Sequence, residues 1–395
     1  MSPRAIAALI FAGTIATRVP FATAHLYAWD STLYARALEH GFHVTADPAT
    51  ESPHPPGYIW YVGLAALVRA VVHDSNAALV IVSIIASALA GAAFYLIARR
   101  LAREGIAITA ALAFVLSPVV WMYSEVAYPY TVLALLSLVL GWWLVDGRRP
   151  LLQSATFGLM LGFRQDLLLI LGVLWLWRIT RLGARRAALA VGVLGAASLT
   201  WAIPTVVLSG GPAEYARALT EQSAMVVAGS VPTSGASALA VFLVLMGEPL
   251  IWGLFPLGLI LVADGAWLLV RIARGRVVGP PRGLALAFLL WTAPAMAFYV
   301  LVHIGEWGYV LSVIPPVLLA AATRADRAVA RVPSATWPAL AAAVVLVPAL
   351  TFLFVEMRFS AERLRQRERE LSALVLVHSP AERADAVVWS RTIDR

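Results

Sequence analysis

The chain has 395 residues, of which 61% are hydrophobic and 13% charged, with a net charge of +8 and no cysteine. Soluble domains carry about a quarter charged residues; this chain has too little polar surface to coat a water-soluble body and reads as an all-α polytopic membrane protein. Without thiols it can hold no disulfide framework, thiolate nucleophile, cysteine zinc site or iron–sulfur cluster, and its basic residues, all arginine, gather at the ends of apolar blocks, which fits membrane topology and not nucleic acid.

Apolar blocks of roughly 16 to 23 residues match the length needed to cross about 30 Å of hydrocarbon. The first span is expected over residues 4–23. Arg4, the run Ala5 to Ala16 and the small-x-small Ala22-Thr23-Ala24 also fit a cleavable leader. Arg18 and Pro20 interrupt the approach to such a cut, so the span is read as retained. A polar segment, 24–56, follows. Within it, Asp30 to Gly41 predicts a short helix with a polar start and a glycine stop. The string Glu51-Ser52-Pro53-His54-Pro55-Pro56-Gly57-Tyr58 then leads into an apolar stretch, 57–73, read as an interfacial helix whose first turn is fixed by proline.

Further spans are expected near 76–98, 105–123, 127–145, 151–163, 166–178, 187–208, 249–270, 284–303, 308–323 and 335–355, about eleven in all. Residues 1–355 thus form one transmembrane domain with outer loops 24–75 and 209–248, and 356–395 a short charged extracytoplasmic tail. Arginine placement orients them. Arg99 to Arg103, Arg148-Arg149, Arg178 to Arg186, Arg271 to Arg282 and Arg324 to Arg331 all fall on one side if 57–73 does not cross. That side is cytoplasmic by the positive-inside rule, with the N-terminus there. The expected location is a bacterial inner (plasma) membrane.

The groups able to do chemistry gather on the other side. Asp30 stands just after the first span; its spacing fits either a helix cap or a carboxylate that takes a proton from a hydroxyl. His54 and Tyr58 could face a phosphate headgroup, with Glu51 as a second acid or base, or simply form an exposed turn. Arg164-Gln165-Asp166 separates two spans of only about 20 Å each. An arginine there needs a partner or a cavity: Asp166 could be that partner, or Arg164 could bind an anionic phosphate through its planar fork. Tyr34, Glu125, Tyr128, His303, Glu306 and Tyr309 complete the outer rim. Each alone fits an interfacial anchor. No metal or other cofactor is expected.

Taken in order, these marks resemble a family. An acid after the first helix, a His-Pro-Pro segment and an arginine in a later short hairpin are similar to the polyprenol-phosphate-dependent GT-C glycosyltransferases. His54-Pro55-Pro56-Gly57-Tyr58 resembles the HPPGY segment of bacterial relatives of the protein O-mannosyltransferases, a branch that also includes aminoarabinose transferases. Ser117-Pro118 through Tyr123, Ser124, Tyr128 and Tyr130 resembles the family's third-helix end, and Tyr309 to Pro316 its late Tyr-x-Pro-Pro helix. The resemblance implies an inverting, single-displacement transfer from a polyprenyl-phosphate-linked sugar, mannosyltransferase-like in kind. It implies Asp30 as base and Arg164, with His54, steadying the leaving phosphate. The acceptor would be a glycan, a lipid or a protein. The family's paired acids are not both present, since Asp30 is followed by Ser31, and a large soluble outer domain is absent. Two other readings stand beside it: a lipid or small-molecule transporter or flippase, disfavoured by spans that are apolar throughout, and a non-catalytic membrane assembly subunit.

Overall fold

The computed structural model describes residues 1–45, 53–275, 282–303, 306–330 and 333–377. Among these every regular element is helical and no strand occurs. The elements are α1 (Pro3–Arg18), α2 (Trp29–His40), α3 (Ile59–Val72), α4 (Ser75–Ala98), α5 (Glu104–Val115), α6 (Pro118–Tyr123), α7 (Tyr130–Asp146), α8 (Pro150–Met160), α9 (Leu167–Ile179) and α10 (Ala184–Leu208). They continue as α11 (Pro212–Ala228), α12 (Val231–Ser234), α13 (Ala238–Val241), α14 (Glu248–Leu254), α15 (Leu259–Ala273), α16 (Gly283–Leu301), α17 (Ile314–Val329), α18 (Trp337–Phe354) and α19 (Ala361–Val377). The chain is a multi-pass membrane protein.

Among the described residues, five helical segments are long and apolar enough to cross a membrane by length and composition, or six if the bent pair Ala238–Leu254 and Leu259–Ala273 is one span. The eleven apolar blocks read from the sequence do not map one to one onto these, because proline and glycine cut several of them into shorter helices. Span 105–123 is divided before Pro118, and α7 starts only after Pro129. The block expected as one span over 249–270 turns by 114° between α14 and α15, at Phe255-Pro256-Leu257-Gly258. Proline offers no N–H to the helical ladder and disfavours helix in the residue before it. Shorter apolar helices, α3, α5, α7 and α9, lie among the long ones.

The helix expected from Asp30 to Gly41 is present one residue earlier, as α2, and Gly41 closes it at φ +98°, a region glycine reaches without penalty. Its N-cap is Ala28, with no side-chain cap bond, so Asp30 lies inside the first turn and does not cap the helix. Helix α3 packs on α2 and α4. Its start is tied to the turn after α8: Trp60 N–H donates to the Gly162 carbonyl at 3.0 Å and Trp60 Nε1–H to the Leu159 carbonyl at 3.1 Å. Gly162 permits this approach, because a Cβ there would meet the Trp60 ring at 2.1 Å.

The described part of the charged tail, ending in helix α19, is docked on the bundle. Glu368 of α19 accepts from the backbone N–H of Ala24 at 3.1 Å and pairs with His25 Nδ1 at 2.9 Å. Phe359 and Leu364 are buried in the main core, and Arg358 bridges to Glu248 at 3.2 Å while covering the Trp307 ring. Two buried apolar clusters hold the bundle: a larger one that includes residues from α1 to Leu364 of α19, and a second that joins α2, α3 and α4 around Tyr34, Tyr61 and Leu79. At the arginine-rich end, Arg103 pairs with Asp326 at 2.9 Å, linking α5 to α17.

Candidate functional site

Arg164 lies in the turn between α8 and α9, and only 4% of it is exposed. Placing a guanidinium there is costly unless its charge is met. Asp166 meets it with a two-pronged contact, Nε to Oδ1 at 3.1 Å and Nη2 to Oδ2 at 2.7 Å. The sequence left open whether Asp166 is Arg164's partner; it is. Tyr299 Oη donates to the same Oδ2 at 3.0 Å. Three tyrosine faces surround the guanidinium: Tyr130 at 5.2 Å, Tyr58 at 5.4 Å and Tyr309 at 5.5 Å. Cation–π contacts of this kind strengthen when desolvated. Tyr299 stacks on Tyr309 with centroids 4.5 Å apart, and Tyr309 Oη shares a 2.8 Å hydrogen bond with His303 Nε2.

Each wall has a local reason to be where it is. Tyr58 sits at φ +53° after Gly57 at φ +110°, a sharp lead-in to α3 that turns its ring toward Arg164. A left-handed tyrosine costs about 1–2 kcal/mol, and such strain gathers at functional sites. Tyr130 opens α7 and stacks against Tyr128. Gly308 lets the turn Trp307–Ser312 pass over Tyr130, since a Cβ there would meet that ring at 2.2 Å.

A cavity of about 400 Å³ opens beside this cage. Its polar lining includes His54, Arg164, Gln165, Asp166 and His303. Helix α11 adds Leu219, Gln222, Ser223, Val226 and Val227, and Leu169, Phe298 and Val302 complete the apolar part. The amphipathic helix α11 therefore forms one wall over the site.

Asp30 reaches the cluster through His54. Its Oδ2 lies 3.9 Å from His54 Nε2, and His54 Nδ1–H donates to the Pro55 carbonyl at 2.7 Å. Burial pushes the His54 imidazole down, but the Asp30 carboxylate and the Pro55 carbonyl together hold it above the ordinary histidine value. His303 goes the other way: burial and then the Arg164 charge lower it to about 4. One imidazole is thus biased toward cation and the other kept neutral on the same cavity. Tyr34 packs edge-on to Tyr58 at 5.6 Å and stands behind it.

The remaining rim residues separate. Glu125 is buried elsewhere: Trp121 Nε1–H donates to its Oε1 at 2.7 Å, its backbone carbonyl holds Thr23, and it does not line the cavity. Tyr128 backs Tyr130, and Glu306 opens the turn that carries Tyr309. Glu51 lies outside the described residues. Two cage residues were absent from the expected site, Tyr130 as a wall and Tyr299 as the Asp166 partner. Tyr299 stands four residues before His303, a helical face-sharing interval, which was the available signal within an apolar span.

No protein-family model and no curated protein matches the chain. Solved structures do. ArnT from Cupriavidus metallidurans bound to undecaprenyl phosphate superposes with a TM-score of 0.60 at 14% identity, over 95% of this chain and 69% of that one. The same protein in the apo state gives 0.53 at 16% identity, over 94% and 69%. The chain shares the fold of these structures. Its body carries the polar cluster and the cavity at the same end as α2, the lead-in to α3 and the docked tail helix, opposite the arginine-rich turns.

Proposed function

We propose that the protein is a membrane glycosyltransferase that moves a sugar from a polyprenyl-phosphate donor to an acceptor hydroxyl, by inverting single displacement on the extracytoplasmic side. The observation that carries this reading is the two-part lining of one cavity: the Arg164 guanidinium and the His54 imidazole, and the apolar side chains Leu219, Val226, Val227, Phe298 and Val302. A polyprenyl phosphate has the same two parts, and one of the structures sharing the fold is bound to undecaprenyl phosphate.

In this reading Asp30 takes the proton of the acceptor hydroxyl as its oxygen bonds to the anomeric carbon. The carbon–oxygen bond to phosphate breaks on the opposite face, and polyprenyl phosphate leaves with the bonding pair. The negative charge that grows on it is met by Arg164 Nη1, which has no hydrogen bond among the described residues, and by the His54 imidazole, held above its ordinary pKa. Fixed charge aimed at a developing anion favours the transition state over the ground state. Asp166 holds the other edge of the fork and keeps it oriented. Beneath Arg164 the bundle is filled by Leu167, Ile170, Leu171 and Leu174, all fully buried. Group transfer at one end therefore fits better than passage through the bundle.

The test uses native membranes as the source of acceptor. Membranes holding the protein are supplied with a polyprenyl-phosphate sugar, and release of polyprenyl phosphate is followed. Asp30→Asn is expected to slow release by about 10²–10⁴-fold, the usual worth of a general base. Undiminished release from that variant removes Asp30 from the reaction.

A further inference from the structure

A second site lies at the opposite, arginine-rich end, where α8 and α10 begin side by side. A groove of about 660 Å³ there is lined by Arg149, Arg185 and Arg186 together with Leu151, Leu152 and Leu189. The three guanidinium groups make no ion pair or side-chain hydrogen bond among the described residues; the nearby Asp146 is taken by Arg148 at 3.5 Å. Leu152 and Leu189 are about half exposed, at 47% and 52%.

The local electrostatics are unbalanced. Helix starts carry partial positive charge and favour acids, yet neither α8 nor α10 has an acid in its first turn or a side-chain cap. Arg185 and Arg186 instead occupy the first turn of α10, and Arg149 the N-cap of α8. Arg149 also holds a left-handed backbone at φ +57°, a conformation that costs about 1–2 kcal/mol outside glycine. Two uncapped helix starts and three unpaired arginines converge on one groove, and all of them are satisfied by an anion. The leucine floor adds a second requirement. Helix α8 has 11 residues and spans about 16 Å at about 1.5 Å per residue, well short of a bilayer core of about 30 Å, and Leu151, Leu152 and Leu189 give the groove beside its start an apolar floor.

We propose that this groove binds an anionic phospholipid of the leaflet at the arginine-rich end. Its phosphate lies among Arg149, Arg185 and Arg186, and an acyl chain runs over Leu151, Leu152 and Leu189. The occupant is a lipid and not a free phosphate because the floor is apolar and exposed.

The full-length protein in detergent micelles, titrated with phosphatidylglycerol or phosphatidylcholine and read by native mass spectrometry, tests this. Phosphatidylglycerol is expected to bind at least tenfold tighter, with about fivefold lost per arginine removed. Arg185→Gln and the triple Arg149→Gln, Arg185→Gln, Arg186→Gln variant grade the effect, with circular dichroism and gel filtration checking that each is folded. Leu152→Asn should weaken phosphatidylglycerol severalfold, and millimolar inorganic phosphate should leave its binding unchanged. Equal retention of the two lipids, or of phosphatidylglycerol by wild type and Arg185→Gln, overturns the proposal. Displacement by inorganic phosphate overturns the lipid assignment.

Discussion

Among the described residues Arg18, Arg164 and Arg367 are buried, and the first two have different surroundings. Arg18, at the end of α1, is wholly buried. Its Nε–H donates to Ser124 Oγ at 2.9 Å, Nη1 to Thr17 Oγ1 at 2.9 Å and Nη2 to the Val115 carbonyl, while Trp121 covers it at 4.7 Å. All three nitrogens are used, in binding α1 to α5 and to the turn after α6. Arg164 uses two nitrogens on one carboxylate and leaves the third beside a cavity. Burial of a charge therefore does not mark a site by itself. Spare bonding capacity next to open volume does.

The comparison can be broken in order of expected effect. Arg18→Ala strips partners from a buried carbonyl and hydroxyl and leaves Glu125 without its nearby charge; breaking such an arrangement costs about 3–5 kcal/mol. Thermal unfolding in detergent should show this, and a loss below about 1 kcal/mol would make Arg18 something other than a structural tie. Arg164→Lys keeps the charge but loses the planar fork. It should lower release of polyprenyl phosphate by about 10²-fold while moving the unfolding midpoint less than Arg18→Ala does. The reverse ranking would exchange the roles of the two arginines.

The smallest effect separates the regions by pH, because histidines line the cavity beside Arg164. His54 is raised, so its charged form is favoured in the folded protein. Its contribution is complete below the ordinary value of about 6.5 and is lost as pH rises through the raised value. Polyprenyl phosphate affinity should weaken over that rise, and His54→Gln should flatten the profile. His303 is lowered to about 4, so its contribution is present above about 6.5 and is lost as pH falls from there toward 4. A falling unfolding midpoint over that acid window, absent in His303→Gln, checks the sign.

Local features carried much of this into the sequence. The glycine stop of α2 was legible because caps act within one helical turn, whereas its start was not, since Ala28 and not Asp30 or Ser31 is the N-cap. The turn Arg164-Gln165-Asp166 between two short helices was legible because charge is rare inside apolar blocks. The span count was less so: Pro118 and Pro256 break blocks that composition alone reads as continuous. Glu125 looked like a rim acid because its outer turn is polar, and only packing against Trp121 and the first helix shows that it belongs to a different contact.

By itself, then, the sequence determined an all-helical membrane body, its arginine-rich turns and the grouping of chemically able side chains on one side, since these follow from periodicity, length and charge along the chain. Tertiary structure alone decided that Tyr58, Tyr130 and Tyr309 enclose one guanidinium while Tyr299 holds its Asp166 partner, that His54 joins Asp30 to the cavity, and that helix α19 grips the first loop. Those neighbours come from helices far apart in the chain, and nothing in local propensity encodes which distant faces will meet.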